Sequence, residues 1–142
     1  MRRILVAIDG SEGSMRALDF AARQASYSPA AELHVLTIQP AAAANTAWEI
    51  YVSAERLQEI AAERSRDILA AAAGRLQGGG FGVELEQLIG EPAETIANRA
   101  AELGCESIVM GTHGLGKLGV LLMGSVAQRV LHHATLPVTL VK

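Results

Sequence analysis

The sequence ILVAIDGS at residues 4–11 places five consecutive apolar residues before an aspartate, a glycine and a serine. An apolar run of this length without polar alternation is typical of a strand that is covered on both faces of a parallel sheet. Runs of the same kind recur along the chain and predict strands at residues 4–8, 33–38, 83–89, 107–110 and 138–141. The first run therefore predicts a buried parallel strand with a turn directly after it.

Between these runs, apolar residues recur at spacings of three, four and seven, which indicates helices packed against a sheet. They predict helices at residues 14–25, 47–77, 92–103 and 124–133. Strand and helix thus alternate through the chain, an order that favours an α/β fold with right-handed crossovers. We expect a doubly wound five-stranded parallel sheet in the strand order 3-2-1-4-5, with helices on both faces. No stretch is typical of a linker, so we expect one domain over residues 1–142.

Composition narrows the classes of function. The 142 residues carry a formal net charge of −3, half of them are hydrophobic and 4% are aromatic. No run of Lys or Arg exceeds two residues, whereas a nucleic-acid surface normally carries a basic stripe. The first apolar run is too short for a signal peptide, and no stretch approaches the roughly 18 apolar residues of a membrane span. We therefore expect a cytoplasmic protein that partners neither nucleic acid nor a membrane.

The segment after the fourth predicted strand, GTHGLGKLGVLLMGS at residues 111–125, contains five glycines. It lies where doubly wound sheets bind ligands, outside the carboxyl ends of the strands. A dinucleotide pattern, G-x-G-x2-G, begins at Gly114, but its last glycine does not start a predicted helix and no acidic residue lies about 20 residues further on. A P-loop pattern begins at Gly111, but Leu118 occupies the position of the magnesium-binding Ser or Thr. Neither template is satisfied.

A third template, G-x2-G-x9-G-S, begins at Gly111 and ends at Ser125. With this pattern the chain resembles the ATP-binding class of the universal stress protein family, whose signature is G-x2-G-x9-G-[S/T]. The opening residues 4–11, the sequence GEPA at residues 90–93 and the closing residues 124–138 fit the family as well, so the resemblance covers the whole chain. It implies an adenine-nucleotide site at the carboxyl ends of the strands.

The chemistry of the glycine segment also suits a phosphate. Gly111 and Gly114 permit a positive φ and a close backbone approach to a bulky anion. Gly124 and Ser125 lie at a predicted helix amino terminus, where free N–H groups and the helix dipole favour negative charge. The Ser125 hydroxyl either caps its helix, as the capping-box pattern SVAQ at residues 125–128 indicates, or donates to a phosphate oxygen. The resemblance implies the phosphate role.

Further candidates surround this segment. Thr112 and Lys117 are candidates for additional phosphate contacts, and His113 either touches a phosphate or a bound metal, or is an exposed loop residue without a role. Asp9 either accepts hydrogen bonds from ribose hydroxyls or the adenine amine, or caps the helix that begins near Ser11. The resemblance implies that the adenine slot is lined by Ala7, Ile8, Ile38 and Met110. It also implies that Val126, which follows the phosphate-binding serine, belongs to the site.

The resemblance implies an ATP-binding regulatory or stress-response protein, in which nucleotide occupancy modulates association or stability. The expected cofactor is ATP, with Mg²⁺ or Mn²⁺ held mainly by the phosphates, and no residue is assigned a catalytic or metal-ligating role. Two alternatives stay open, a slow ATPase and a nucleotide-independent interaction protein. The last predicted strand would leave an apolar edge in a monomer, so we expect a homodimer through residues 138–142.

Overall fold

The computed structural model describes residues 2–41, 53–114 and 123–142, in which five strands alternate with four helices. The strands are β1 (Arg2–Ala7), β2 (Ala31–Gln39), β3 (Gly82–Ile89), β4 (Ser107–Gly111) and β5 (Val138–Val141). The helices are α1 (Glu12–Ser26), α2 (Ala54–Leu76), α3 (Pro92–Glu102) and α4 (Ser125–His133). Neighbouring strands are parallel in the order β3-β2-β1-β4-β5, which confirms the predicted doubly wound fold.

The two faces of the sheet carry separate apolar cores. Helices α1 and α2 cover one face, on which Val6 of β1 packs in the same cluster as Leu18 of α1. Helices α3 and α4 cover the other face, on which Leu5 clusters with Val130 of α4. All four side chains are fully buried, and each such burial stabilises the fold by roughly 1.5–3 kcal/mol. Because successive side chains of a strand point alternately into these two helical layers, the sequence of a central strand is apolar without interruption.

The edge strands depart from this pattern. Strands β1, β2 and β4 are mostly buried, as predicted, whereas the first four residues of β3 are exposed and β5 is half-buried throughout. The expectation that every strand is covered on both faces is therefore wrong for β3, where Val83 and Leu85 are 37% and 41% exposed. The reason is that β3 has a neighbouring strand on one side only.

Helix α2 begins later than its apolar spacing predicts. Ser53 has an extended backbone and its side chain accepts a hydrogen bond from the Arg56 N–H, so it caps a helix that starts at Ala54. The predicted continuous helix from residue 47 is thus wrong at Ser53, and residues 47–52 lie outside the described residues. Within the described ranges, no helix is both long and apolar enough to cross a membrane.

Candidate functional site

A cleft of about 480 Å³ opens at the carboxyl ends of β1, β2 and β4. Its lining includes twelve of the thirteen residues that the sequence singled out: Ala7, Ile8, Asp9, Ile38, Met110, Gly111, Thr112, His113, Gly114, Gly124, Ser125 and Val126. The thirteenth, Lys117, lies outside the described residues. Residues from three strand ends and from the start of α4, far apart in sequence, thus meet in one cavity.

The first two glycines of the signature pack closely against other parts of the protein, and neither has the positive φ that was predicted. Neither Gly111 nor Gly114 has a positive φ, so that expectation is wrong. A Cβ at Gly111 would lie 2.9 Å from the carbonyl carbon of Gly13 in α1, and a Cβ at Gly114 would lie 2.6 Å from Oδ2 of Asp9. Both positions therefore require glycine because the protein packs closely against itself there, which brings the chain after β4 against the first turn of α1.

The amino terminus of α4 has no side-chain cap. Gly124 is the N-cap residue, and its N–H donates to the Thr112 carbonyl at 2.7 Å. The first helical hydrogen bond runs from the Gln128 N–H to the Gly124 carbonyl at 3.1 Å. The N–H groups of residues 125–127 therefore have no acceptor inside the helix. The predicted capping box is wrong, because Ser125 is the first residue within the helix and its exposed side chain is not the cap.

Asp9 supports the start of α1 without capping it. Its Oδ1 accepts hydrogen bonds from both the backbone N–H, at 2.9 Å, and the hydroxyl of Ser11. Ser11 is the N-cap of α1 and accepts from the Ser14 N–H at 3.2 Å. The alternative that Asp9 itself caps α1 is therefore wrong, because the N-cap is Ser11 and Asp9 binds that residue. One carboxylate oxygen orients the cap residue, and the other, Oδ2, lies on the side of Gly114.

The backbone of Ile38 presents a donor and an acceptor to the cleft. Strand β1 ends beside β2, where the Ile8 N–H donates to the Leu36 carbonyl at 2.9 Å. On the opposite edge of β2, the Gln39 carbonyl accepts from the Gly90 N–H at 3.0 Å. Because the polar groups of successive strand residues point to opposite edges, the N–H and C=O of Ile38 point to the β1 side, beyond the end of that strand. The sequence had suggested only the side chain of Ile38.

His113 is partly buried rather than exposed. Its Nδ1 lies 2.9 Å from the Thr112 hydroxyl, and its Nε2 is buried without a hydrogen-bond partner among the described residues. The carbonyl of His113 packs against Gly13, since a Cβ on that glycine would lie 3.1 Å away. The prediction of an exposed side chain is therefore wrong for His113, whose backbone carbonyl also contacts α1.

Sequence reasoning missed the contribution of α2 and of one side of β2. Thr37, Gln39 and Ser65 line the cleft and are at most 8% exposed although they are polar. Arg64 of α2 also lines it. A signal for α2 was available, because Arg64 interrupts the stripe of Leu57, Ala61 and Ile68 at helical spacing.

The chain is similar to known proteins over its whole length. A profile described as the universal stress protein family matches residues 1–142. Universal stress protein YxiE of Bacillus subtilis is 35% identical, with 99% of this chain and 98% of that protein covered. A solved universal stress protein in complex with cAMP is 26% identical, with a TM-score of 0.75 and 99% and 97% of the two chains covered. The universal stress protein of Archaeoglobus fulgidus in complex with dAMP is 25% identical, with a TM-score of 0.72 and 100% and 98% covered.

Proposed function

The chain belongs to the universal stress protein family, and on that premise we propose that it is an ATP-binding regulatory protein whose nucleotide occupancy modulates its association or stability. One observation carries the proposal: Ile38, whose backbone N–H and C=O point to the β1 side beyond the end of that strand, the carboxylate of Asp9 and the start of α4 with its glycine N-cap all border one cleft of about 480 Å³. Relatives with the same fold bind cAMP and dAMP, so the shared chemistry is that of an adenine nucleotide.

The backbone of Ile38 suits adenine better than guanine. Adenine presents an acceptor at N1 and a donor at its 6-amino group, which complement one N–H and one C=O on the same strand residue. Guanine presents a donor at N1 and an acceptor at O6, so both positions would be mismatched and left without hydrogen bonds. Ala7 and Met110 supply apolar contacts for the base.

The remaining parts of a nucleotide have matching groups. From a base beside β2, the ribose extends towards Asp9 and the phosphates towards α4. The N–H groups of residues 125–127, the dipole of α4 and the Ser125 hydroxyl then bind a phosphate. We propose that Mg²⁺ or Mn²⁺ accompanies ATP and is held mainly by the phosphates, as is usual for Mg²⁺ in nucleotide sites. Among the described residues, no group of three His, Cys, Asp or Glu side chains is arranged to hold a metal.

The direct test is to denature the purified protein and identify released small molecules by mass spectrometry. We expect a near-stoichiometric adenine nucleotide. Competition against a fluorescent ATP analogue then measures preference, and ATP should displace it at lower concentrations than GTP. Equal displacement by both nucleotides would contradict the role of Ile38, and no binding at millimolar ATP would refute the site. With Mg²⁺ we expect hydrolysis far below the roughly 1 s⁻¹ of ordinary phosphoryl-transfer enzymes.

We further propose that the protein forms a homodimer through residues 138–142. The carbonyl groups of Pro137 and Val141 face β4, so by alternation the N–H and C=O groups of Val138 and Leu140 face outward from the sheet. Antiparallel pairing with the same strand of a second copy satisfies these groups around a two-fold axis.

Hydrogen bonds connect this edge to the cleft. The Thr112 N–H donates to the Val141 carbonyl at 3.0 Å, and the Thr112 carbonyl accepts from Gly124, the N-cap of α4. Nucleotide binding at α4 and dimer formation at β5 would thus both involve contacts of Thr112, which supports a regulatory role for the nucleotide. Light scattering tests the dimer, and Thr139→Lys, which adds a charge to the edge strand, should dissociate it. A wild-type protein that stays monomeric at high micromolar concentration, with and without ATP, would refute it.

A further inference from the structure

Helix α2 contributes six residues to the lining of the cleft, four of which form a stripe at helical spacing. Leu57, Ala61, Arg64 and Ile68 all line it. Ile68 lies directly over the turn after β1, because a Cβ on Gly10 would be 3.1 Å from its Cγ1. Arg64 precedes Ile68 by four residues and so lies about 6 Å further along the helix axis, towards the amino terminus of α2.

Arg64 adds a positive charge to the wall of the cleft, opposite in sign to that of Asp9. Among the lining residues that the structure describes, Asp9 and Arg64 are the two that carry a full charge at neutral pH. Two other arginines of α2 are engaged elsewhere: Arg56 pairs with Glu59 and Arg75 pairs with Asp19. Arg64 makes no ion pair within residues 2–41, 53–114 and 123–142. A guanidinium is always protonated and its planar fork matches phosphate oxygens.

Arg64 and the start of α4 belong to opposite faces of the sheet. Helix α2 covers one face and α4 the other, and the cleft lies between them at the carboxyl ends of the strands. A nucleotide whose first phosphate binds at Ser125 has its remaining phosphates in the same cleft, where Arg64 is the positively charged side chain among the described lining residues. Arg64, an exposed residue, lines the same cavity from the α2 side.

We propose that Arg64 binds the terminal phosphates of the nucleotide and makes the site prefer di- and triphosphates over monophosphates. This inference rests on the proposed function, which assigns the base and the first phosphate to other groups. It addresses a choice that those groups leave open, because a backbone pair for adenine and a helix amino terminus bind AMP and ATP alike. Arg64 is therefore a specificity-determining residue for phosphate-chain length.

The test measures equilibrium dissociation constants for ATP, ADP and AMP with wild type and Arg64→Gln. Because a charge-assisted hydrogen bond to phosphate is lost, we expect Arg64→Gln to weaken ATP binding about 10- to 100-fold and to change AMP binding less than about twofold. Arg64→Lys should retain part of the preference, since it keeps the charge without the fork. The matched control is Arg66→Gln, an exposed arginine two residues further on that does not line the cleft.

The outcomes separate this inference from the proposed function. An ATP-to-AMP affinity ratio that is the same in wild type and Arg64→Gln overturns the inference and leaves the adenine site standing. Equal weakening of ATP and AMP by Arg64→Gln also overturns it, because Arg64 would then contact the base or the ribose. A wild-type protein that binds none of the three nucleotides refutes the proposed function itself. Salt provides a second readout, since loss of Arg64 should flatten the salt dependence of ATP binding and leave that of AMP unchanged.

Discussion

The amino termini of α1 and α4 both border the cleft, but a side chain accepts a hydrogen bond from the first N–H groups of α1 and not from those of α4. At α1, the Ser11 side chain accepts from the Ser14 N–H at 3.2 Å, and Asp9 holds Ser11 in place. At α4, the N-cap is Gly124, which has no side chain to accept a hydrogen bond, and Ser125 is exposed. The first terminus is capped by its own side chains, whereas among the described residues no side chain caps the second.

The other described helices follow α1. Ser53 caps α2 and Glu91 caps α3, each by accepting from a backbone N–H three residues further on. Among the helices that the structure describes, α4 alone lacks a side-chain cap. A serine cap contributes about 1 kcal/mol of stability, so the ligand-free protein is less stable without one. A bound anion can accept the same N–H hydrogen bonds and restore that stabilisation. The contrast supports the proposal that the start of α4 binds an anion, whereas α1 to α3 are stabilised by capping side chains of their own.

The largest effect is expected from Gly124→Val. A Cβ at this position would lie 3.1 Å from the Thr112 carbonyl oxygen, and valine adds two further methyl groups. The chain at residues 112–114 must then move away from α4, and we expect ATP affinity to fall about 100-fold or more, or about 2.7 kcal/mol. Isothermal titration calorimetry measures it.

Two further variants control this experiment. Gly74→Val places the same side chain on α2, where among the described residues no atom beyond the chain neighbours and the nearby helix backbone lies within 4 Å of the added Cβ, and it should bind ATP normally. Gly124→Ala adds one methyl and should show a smaller loss in the same direction. A folded Gly124→Val protein with wild-type affinity would contradict the importance of the contact with Thr112.

A pair of serine substitutions tests the contrast itself. Ser125→Ala should lower ATP affinity by about 1–3 kcal/mol, because a hydroxyl that pairs with a charged oxygen is removed, and should leave thermal stability nearly unchanged. Ser11→Ala should do the opposite and cost about 1 kcal/mol of unfolding free energy with a smaller effect on affinity. Denaturant unfolding without nucleotide and ATP titration of both variants give the two quantities. If Ser125→Ala loses stability and binds normally, Ser125 is a structural residue and the comparison fails.

The sequence predicted the fold well and the site only in outline. The apolar runs at residues 4–8 and 107–110 predicted strands because burial between two helical layers leaves a direct mark on composition. Helix α2 was predicted too long, since Ser53 interrupts the helix through a local hydrogen bond that apolar spacing does not register. The position of the site followed from the fold, because ligands bind at the carboxyl ends of parallel strands.

The reasons for individual site residues were harder to predict. Gly111 was expected to face an anion, but it faces the backbone of Gly13, a contact between segments about 100 residues apart. Thr37 and Arg64 reach the cleft only because β2 pairs with β1 and α2 packs on β2, and neither belongs to a motif. Motifs indicate which backbone conformations recur, whereas the surroundings of a motif depend on tertiary packing.

The smallest effect is expected where acid can remove the negative charge of a capping side chain, at α3. The Glu91 carboxylate accepts from the Glu94 N–H at 2.8 Å, which holds the pKa of Glu91 below its ordinary value of 4.5, and Arg129 of α4 lies 2.9 Å away. A lowered folded-state pKa means that the contribution to stability is complete above about pH 4.5 and is lost as the pH falls through the lowered value. Wild type should therefore be more stable than Glu91→Gln at pH 7, by about 0.5 kcal/mol because solvent screens this partly exposed group.

Urea unfolding of wild type and Glu91→Gln between pH 7 and pH 3 checks this prediction, since the difference in unfolding free energy should shrink as the pH falls below about 4.5. A difference that stays constant over the whole range would mean that the carboxylate charge is not its source. ATP affinity at pH 7 should be the same in both proteins, because Glu91 does not line the cleft although its neighbour Pro92 does. Weaker ATP binding by Glu91→Gln would instead place the start of α3 in the binding site, and α4 would no longer be the one terminus that serves the ligand.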